Sequence, residues 1–345
     1  MRDNLDSQNP PPARSTRARG RRGKTLPLFL VAPALLAGTL VSCRKAEKAA
    51  AGTGTPAAEP VATKVEKPAE KDVPFSLSET PQNSGSPYSG LKEPQQAAFD
   101  EKGRLWIVDS ANSRVAVFDG AGGYLGGFGG LGSGHFGLRN PEGIAIHADN
   151  LYVADTWNGR VVAYTLSGAY KGEVHGLYGP RGVAVAPNGR VFVTDSGNGR
   201  VMSYDAALGD EKVVGKKGSG KGEFNGPIGA AVSPAGRVYV ADMGNHRIQA
   251  LDADGKPLTA WKYPGLDVTW NVYPEIDSNE TVYVPDPDAA QVFAMNRSGA
   301  VQKKWSAGDD GQKFVRPCCL ALDRKQGVLY VINAGSNTVS KLKLR

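Results

Sequence analysis

The 345-residue sequence predicts an all-β fold built from repeats, and three observations lead there. Gly and Pro together supply nearly one residue in five (44 and 23), which favours many turns over long helices. Six segments between 105 and 339 carry one shared pattern in one register. Each copy reads as four short strands with no helix of ordinary length. A period of 40–47 residues with four strands per copy is the pattern of propeller blades, so the expected architecture is a six-bladed β-propeller of four-stranded blades.

The second strand sets the register. The copies are LWIVDSANSRV (105–115), LYVADTWNGRV (151–161), VFVTDSGNGRV (191–201), VYVADMGNHRI (238–248), VYVPDPDAAQV (282–292) and LYVINAGSNTV (329–339). Three residues before the anchor stands an aromatic: Trp106, Tyr152, Phe192, Tyr239, Tyr283 or Tyr330. The anchor is Asp109, Asp155, Asp195, Asp242, Asp286 and finally Asn333, at spacings of 46, 40, 47, 44 and 47. Five residues on come Arg114, Arg160, Arg200 and Arg247, then Gln291 and Thr338. The carboxylate can accept backbone N–H bonds in the turn that follows and pair with the Arg, while the aromatic packs between blades. These are structural roles, and blades 5 and 6, lacking the Arg, should have looser turns.

Upstream of each second strand lies a short apolar run such as GIAI, GVAV or GAAV, entered at Pro94, Pro141, Pro180, Pro227, Asn271 and Pro317. Such a run is an inner, fully buried strand. The blades are placed near 91–129, 138–174, 176–215, 222–261, 268–305 and 314–345. The sixth copy ends at its third strand, TVSKLKLR, and an open edge invites pairing. Residues 73–78 (VPFSLS) are expected to supply the missing strand, so that the ring is closed by an N-terminal strand.

Tyr239–Ile248, with Asn245, His246 and Arg247 after Asp242, resembles the NHL repeat, whose copies build six-bladed propellers. The resemblance covers residues 90–345 and specifies fold far more than function, because propellers host many roles. It implies one enzymatic alternative, a lyase acting on peptidyl-hydroxyglycine that holds zinc through His from several blades. The chain has only His135, His147, His175 and His246, and none opens an inner strand, whereas a zinc site needs at least three converging ligands. A calcium-dependent hydrolase of the six-bladed kind would need channel carboxylates and amides. Blade 5 alone offers a trio, Asn271, Glu275 and Asp277. No G-x-S-x-G, H-E-x-x-H or P-loop occurs. The sequence therefore assigns no catalytic residue, no metal ligand and no cofactor.

The N-terminus reads as an export signal. Seven basic residues in 1–42, against Asp3 and Asp6, precede the sixteen mostly apolar residues of Leu26–Val41, too short for a spanning helix. Leu40-Val41-Ser42-Cys43 resembles a bacterial lipobox, which implies cleavage before Cys43 and acylation of that residue. Two or more acyl chains anchor stably. Residues 1–42 are then a signal peptide, 43–72 a lipidated Cys with an Ala/Pro/Lys/Glu-rich tether, and 73–345 the propeller, exported and membrane-anchored as a lipoprotein facing periplasm or cell surface. The signal accounts for five of the seven formal positive charges, leaving +2 on the rest. Nucleic-acid binding wants a basic footprint on the folded domain and is disfavoured.

The remaining signals point to binding. Connections between blades and the turns after the second strands open on one face, where recognition loops on a rigid scaffold usually lie. The sequence puts Trp157, Tyr178, Tyr263, Trp270 and Tyr273 there, with Arg139, Arg181 and Arg316 beside the inner-strand prolines. Aromatic and Arg residues dominate binding hot spots, and Arg favours an anionic group unless Glu142 or Glu275 neutralises it. Blade 5 departs most from the pattern, with Tyr273 where others have Gly. Cys318 and Cys319 replace the usual x-Gly of an inner-strand entry and are either two separate buried thiols or a vicinal disulfide. The expectation is a monomeric, lipid-anchored binding scaffold for an envelope protein, peptide or glycan.

Overall fold

A computed structural model describes residues 75–82, 85–262 and 271–344. Within them the predicted ring is present. Blades 1 to 5 are four-stranded antiparallel meanders spanning 94–129, 143–174, 180–213, 227–261 and 275–305. The inner strands run from the face that carries the Asp turns (here the top) toward the opposite, bottom face. Val238–Asp242 shows how register follows sequence: Asp242 pairs across to Arg247 in the next strand and to Pro227 in the inner strand. Every strand of the VYVAD type is fully buried, because its two faces meet the neighbouring blades on either side.

Side chains join the blades as the repeat predicts. Trp106 clusters with Ile144 and Val153 of blade 2, Tyr152 with Val183 and Val193 of blade 3, and Phe192 with Val238 and Val240 of blade 4. Tyr283 reaches Leu320 and Val331 of blade 6. Tyr330 stacks edge-on to Phe99 of blade 1 at 4.9 Å, which closes the circle. Each of the six aromatics is at most 5% exposed, so each contributes on the order of 2 kcal/mol of burial. The inner strands come so close at the axis that three glycines are obligatory. A Cβ on Gly143, Gly182 or Gly229 would meet a backbone carbonyl of the next blade at 2.1–2.4 Å.

The expected closing strand is corrected. Blade 6 has three strands, Pro317–Asp323, Val328–Asn333 and Thr338–Lys343, and residues 75–82 lie along the outer strand of blade 1 instead. Ser78 N donates to Leu125 O and Gln82 N to Tyr124 O, both at 2.8 Å. Phe75 decides the matter: its ring stacks on Phe128 at 4.2 Å and meets Trp106 and Tyr164 edge-on, an aromatic slot that blade 6 does not offer. The edge of blade 6 is occupied by the turn before it, where Asp309 N donates to Lys341 O and Lys343 N to the Asp309 carboxylate. Residues 73 and 74 of the expected strand lie outside the described residues.

Candidate functional site

The top face is held in shape by the repeat anchors. In blade 2, Asp155 Oδ2 accepts from Asn158 and Arg160 at 2.7 and 2.8 Å, while its Oδ1 accepts the Arg139 N–H at 2.7 Å. The same three bonds recur at Asp109, Asp195 and Asp242. The backbone N–H comes from the chain entering the inner strand, not from the turn after the Asp as expected. The carboxylate thus ties the entry of each blade to its own turn, which positions both for presentation. Arg160 goes further and donates to Gly134 O and Gly137 O, fixing the loop before blade 2. In blade 5, among the described residues, Asp286 accepts from its own turn, at Ala289 N, and in blade 6 Asn333 substitutes by accepting from Val315 N and donating to Ser340.

On this scaffold a groove of about 970 Å³ runs over blades 2, 3 and 4. Arg139, Trp157, Tyr178 and Arg181, all anticipated from sequence, line it together with Asn271 and Met243. Trp157 is 68% and Tyr178 70% exposed, unusual for residues of their size. Trp157 rides on the short turn Thr156–Asn158. The Tyr178 ring lies on Gly197, where an added Cβ would stand 2.2 Å from its Cδ1. Sequence reasoning missed Leu131, which is 81% exposed on the neighbouring loop, held against the Trp157 turn by Asn158 Nδ2 donating to Gly132 O at 2.9 Å. Its flanking glycines hid it as part of a featureless connection.

The channel mouth beside the groove is closed by a polar plug. Glu142 is its centre: Oε2 accepts from Asn271 at 3.0 Å, from Tyr273 OH at 3.2 Å and pairs with Arg181 at 3.3 Å, while Oε1 accepts from Asn140 at 3.2 Å. Arg181 also donates to Asn271 Oδ1. Burial pushes the Glu142 carboxyl above the usual range, and Arg181 and the three hydrogen-bond donors pull it part of the way back. Tyr273 is fully buried, a correction to its expected place on the binding surface. It stands where blades 2, 3 and 4 carry glycine, and its ring fills the axial space those glycines leave before bonding to Glu142 across the ring. Burial and the neighbouring carboxylate hold its hydroxyl well above the ordinary tyrosine range.

The other candidates fall in separate places. Arg316 sits over blade 6, with Nη2 donating to Ala334 O at 3.1 Å, away from the aromatic groove. Cys318 and Cys319 are free, buried thiols, and the vicinal disulfide is not formed. Cys318 Sγ contacts Pro94 O, while Cys319 Sγ accepts from Ala97 N. Both serve the contact with blade 1, and burial pushes Cys318 up to about 12. The blade 5 trio does not converge. Glu275 pairs with Arg324 at 2.6 Å, Asp277 caps the turn to Thr281, and Asn271 belongs to the plug. Among the described residues no three His, Cys, Asp or Glu side chains gather in a metal-holding group. Cys43, Tyr263 and Trp270 lie outside the described residues.

Comparison with known proteins bears on the fold. A model of the NHL repeat matches residues 138–164, 177–202 and 224–251, which fall on blades 2, 3 and 4. No curated protein matches the sequence. Among solved structures, an auxiliary nutrient binding protein from Bacteroides ovatus is similar at 17% identity and TM-score 0.55, over 72% of this chain and 68% of that one. A catalytically inactive virginiamycin B lyase from Staphylococcus aureus, with quinupristin, is similar at 14% and 0.54, over 78% and 86%. Regucalcin, a calcium-binding protein from Agrobacterium tumefaciens, is similar at 12% and 0.53, over 78% and 93%. At these identities the likeness is one of fold.

Proposed function

We propose, from the premise that this chain carries NHL repeats on a six-bladed β-propeller, that it is a binding module of the cell envelope, tethered through an acylated Cys43 and capturing a protein, peptide or glycan on its top face. One observation carries the reading. Trp157 and Tyr178 stand exposed in a groove that also presents Arg139, on turns fixed from beneath by Asp–Arg pairs whose carboxylates are buried. Rigid aromatic anchors with a neighbouring Arg are the residues that concentrate binding energy, and a pre-fixed loop loses little entropy when it binds. Arg181 is engaged by Glu142 and Asn271, so attraction for an anionic group falls to Arg139. Among the described residues its guanidinium has no ion pair. The partner is accordingly expected to offer an apolar or ring surface beside an acidic group.

The test uses the full chain in detergent. Trp157→Ala with Tyr178→Ala, and separately Arg139→Glu, should each weaken capture of the envelope partner by about tenfold or more, a loss of roughly 1.4 kcal/mol. The melting temperature should not change, and Asn188→Ala on the bottom face should be silent. Equal capture by all variants would place the binding surface elsewhere. Metabolic labelling with a fatty acid tests the tether, which fails if Cys43→Ala still takes up label.

A further inference from the structure

Four residues after each inner-strand entry the channel has a collar with one odd member. In blades 1, 2, 3, 4 and 6 the position is Ala98, Ala145, Ala184, Ala231 and Ala321, and in blade 5 it is Glu275. All six line a cavity of about 500 Å³ that opens on the bottom face between the 100–103 and 323–326 turns. Two residues nearer the top the axis is sealed. Gln96 reaches over it, with Oε1 accepting from Ile144 N and Nε2 donating to Val183 O, both at 3.2 Å. Gln96 also lines the cavity and is the floor of a blind well. At about 3.3 Å per residue, the chain from Gln96 to Asp100 makes the well roughly 13 Å deep. It shares no lining residue with the aromatic groove. Alanines around an axis leave space that larger aliphatic residues would fill, and an unfilled apolar wall forfeits packing contacts. The layer at Gln96 and Tyr273 is filled while the alanine layer is left open, which is the pattern expected of a ligand site.

The lining decides what the well can take. Val183, Val185, Val232 and Leu322 stand among the alanines, so the wall is aliphatic. Both ends of the Gln96 carboxamide are engaged, so the floor suits an apolar tip. The one charge in the collar is cancelled in place, because Glu275 pairs with Arg324 at 2.6 Å. Asp100, at the rim, is likewise paired with Arg104 at 2.6 Å. Among the described residues the other lining charges are Lys102 and Lys325 against Glu101 and Asp323, which leaves the mouth neutral. A carboxylate–guanidinium pair can still accept from, and donate to, an uncharged polar group. We infer that the well takes a single aliphatic chain of an uncharged amphiphile, its apolar end at Gln96 and its hydroxyl or ester head at the Glu275–Arg324 pair. Burying the chain is favourable in proportion to the apolar area removed from water. A charged head would lose hydration at a mouth with no net charge to offset the loss.

The experiment is calorimetric titration of the full chain with octanol, octanoate and octylammonium, in a steroid-bodied detergent that has no alkyl tail to compete. Octanol should bind with a Kd below about 1 mM, and each charged counterpart about tenfold or more weakly. Ala184→Leu combined with Ala231→Leu should abolish octanol binding by filling the collar, with the melting temperature unchanged or higher. Glu275→Gln leaves the Arg324 charge uncancelled and makes the mouth positive, so octanoate should bind about tenfold more tightly than to the wild type. That charge change decides on its own if the leucines do not fold. Lack of octanol binding, equal binding of the charged forms, wild-type binding by the folded double variant, or octanoate binding unmoved by Glu275→Gln would each overturn the inference. Trp157→Ala should leave octanol binding intact, and a loss there would assign the binding to the aromatic groove instead.

Discussion

Blades 2, 3 and 4 repeat one solution, and blades 5, 6 and 1 each alter it. In the first group the anchor carboxylate binds an Asn, an Arg and an incoming N–H, and the axial position is glycine. In the second group the axial position holds Tyr273, Cys319 and Gln96, all buried. Gln96 reaches over to blades 2 and 3, accepting from Ile144 N and donating to Val183 O. The halves are complementary: three glycines on one side of the axis make room for three larger side chains on the other. A repeat can therefore be uniform in its backbone and still seal its own channel, provided departures from consensus face the consensus across the ring.

The comparison can be broken first at the anchors. Asp155→Ala takes the acceptor from Asn158, Arg160 and the Arg139 N–H at once, leaving the 2%-exposed Arg160 its pair with Glu173, and should cost about 3–4 kcal/mol. Asp286→Ala removes, among the described residues, an acceptor for its own turn alone and should cost about 1–2 kcal/mol. Chemical denaturation measures both, and equal losses would mean that the regular blades gain nothing from the fuller network. Next in size is Phe75→Ala, expected to cost about 3 kcal/mol by emptying the slot against Phe128. An unchanged midpoint would show that the N-terminal segment is not bound where it is seen.

The smallest effect concerns the plug. The folded Glu142 carboxyl keeps its proton to higher pH than the unfolded one, whose ordinary value is 4.5. Above that value the folded state holds more protons than the unfolded state, so stability falls as pH rises. Glu142→Gln should flatten this part of the profile, read from melting curves taken on the alkaline side of that ordinary value. A variant whose profile still follows wild type would assign the slope to other carboxyls.

Much of this was legible because the repeat writes itself six times. The aromatic, the Asp and the Arg sit at fixed spacing, and their neighbours in space are their neighbours in the pattern. Trp157, Tyr178, Arg139 and Arg181 were legible as a group for the same reason, since blade geometry places entries and turns on one face. The sequence misled where contacts leave the repeat. Tyr273 reads as an exposed aromatic until the glycines opposite it are set across the axis. Phe75 reads as part of a closing strand until Phe128 and Tyr164, from two blades, are seen to form its slot. The collar of the channel well left a trace in sequence, an alanine at one distance from five of the six inner-strand entries, but its closure by Gln96 is purely three-dimensional.

The way the ring closes bears on how the chain is made. Because 75–82 stay with blade 1 and, among the described residues, blade 6 takes no strand from elsewhere, every blade seen is one unbroken stretch of chain. Each can assemble as it emerges, with local pairings that carry little loop-closure entropy. The last event is the docking of blade 6 on blade 1 through Cys318, Cys319 and the Phe99–Tyr330 contact, with no early segment held waiting for a late partner. An incomplete chain would then hold finished blades with one bare flank, not an unpaired strand, and its hazard would be blade-to-blade stacking between molecules instead of edge-to-edge β-aggregation.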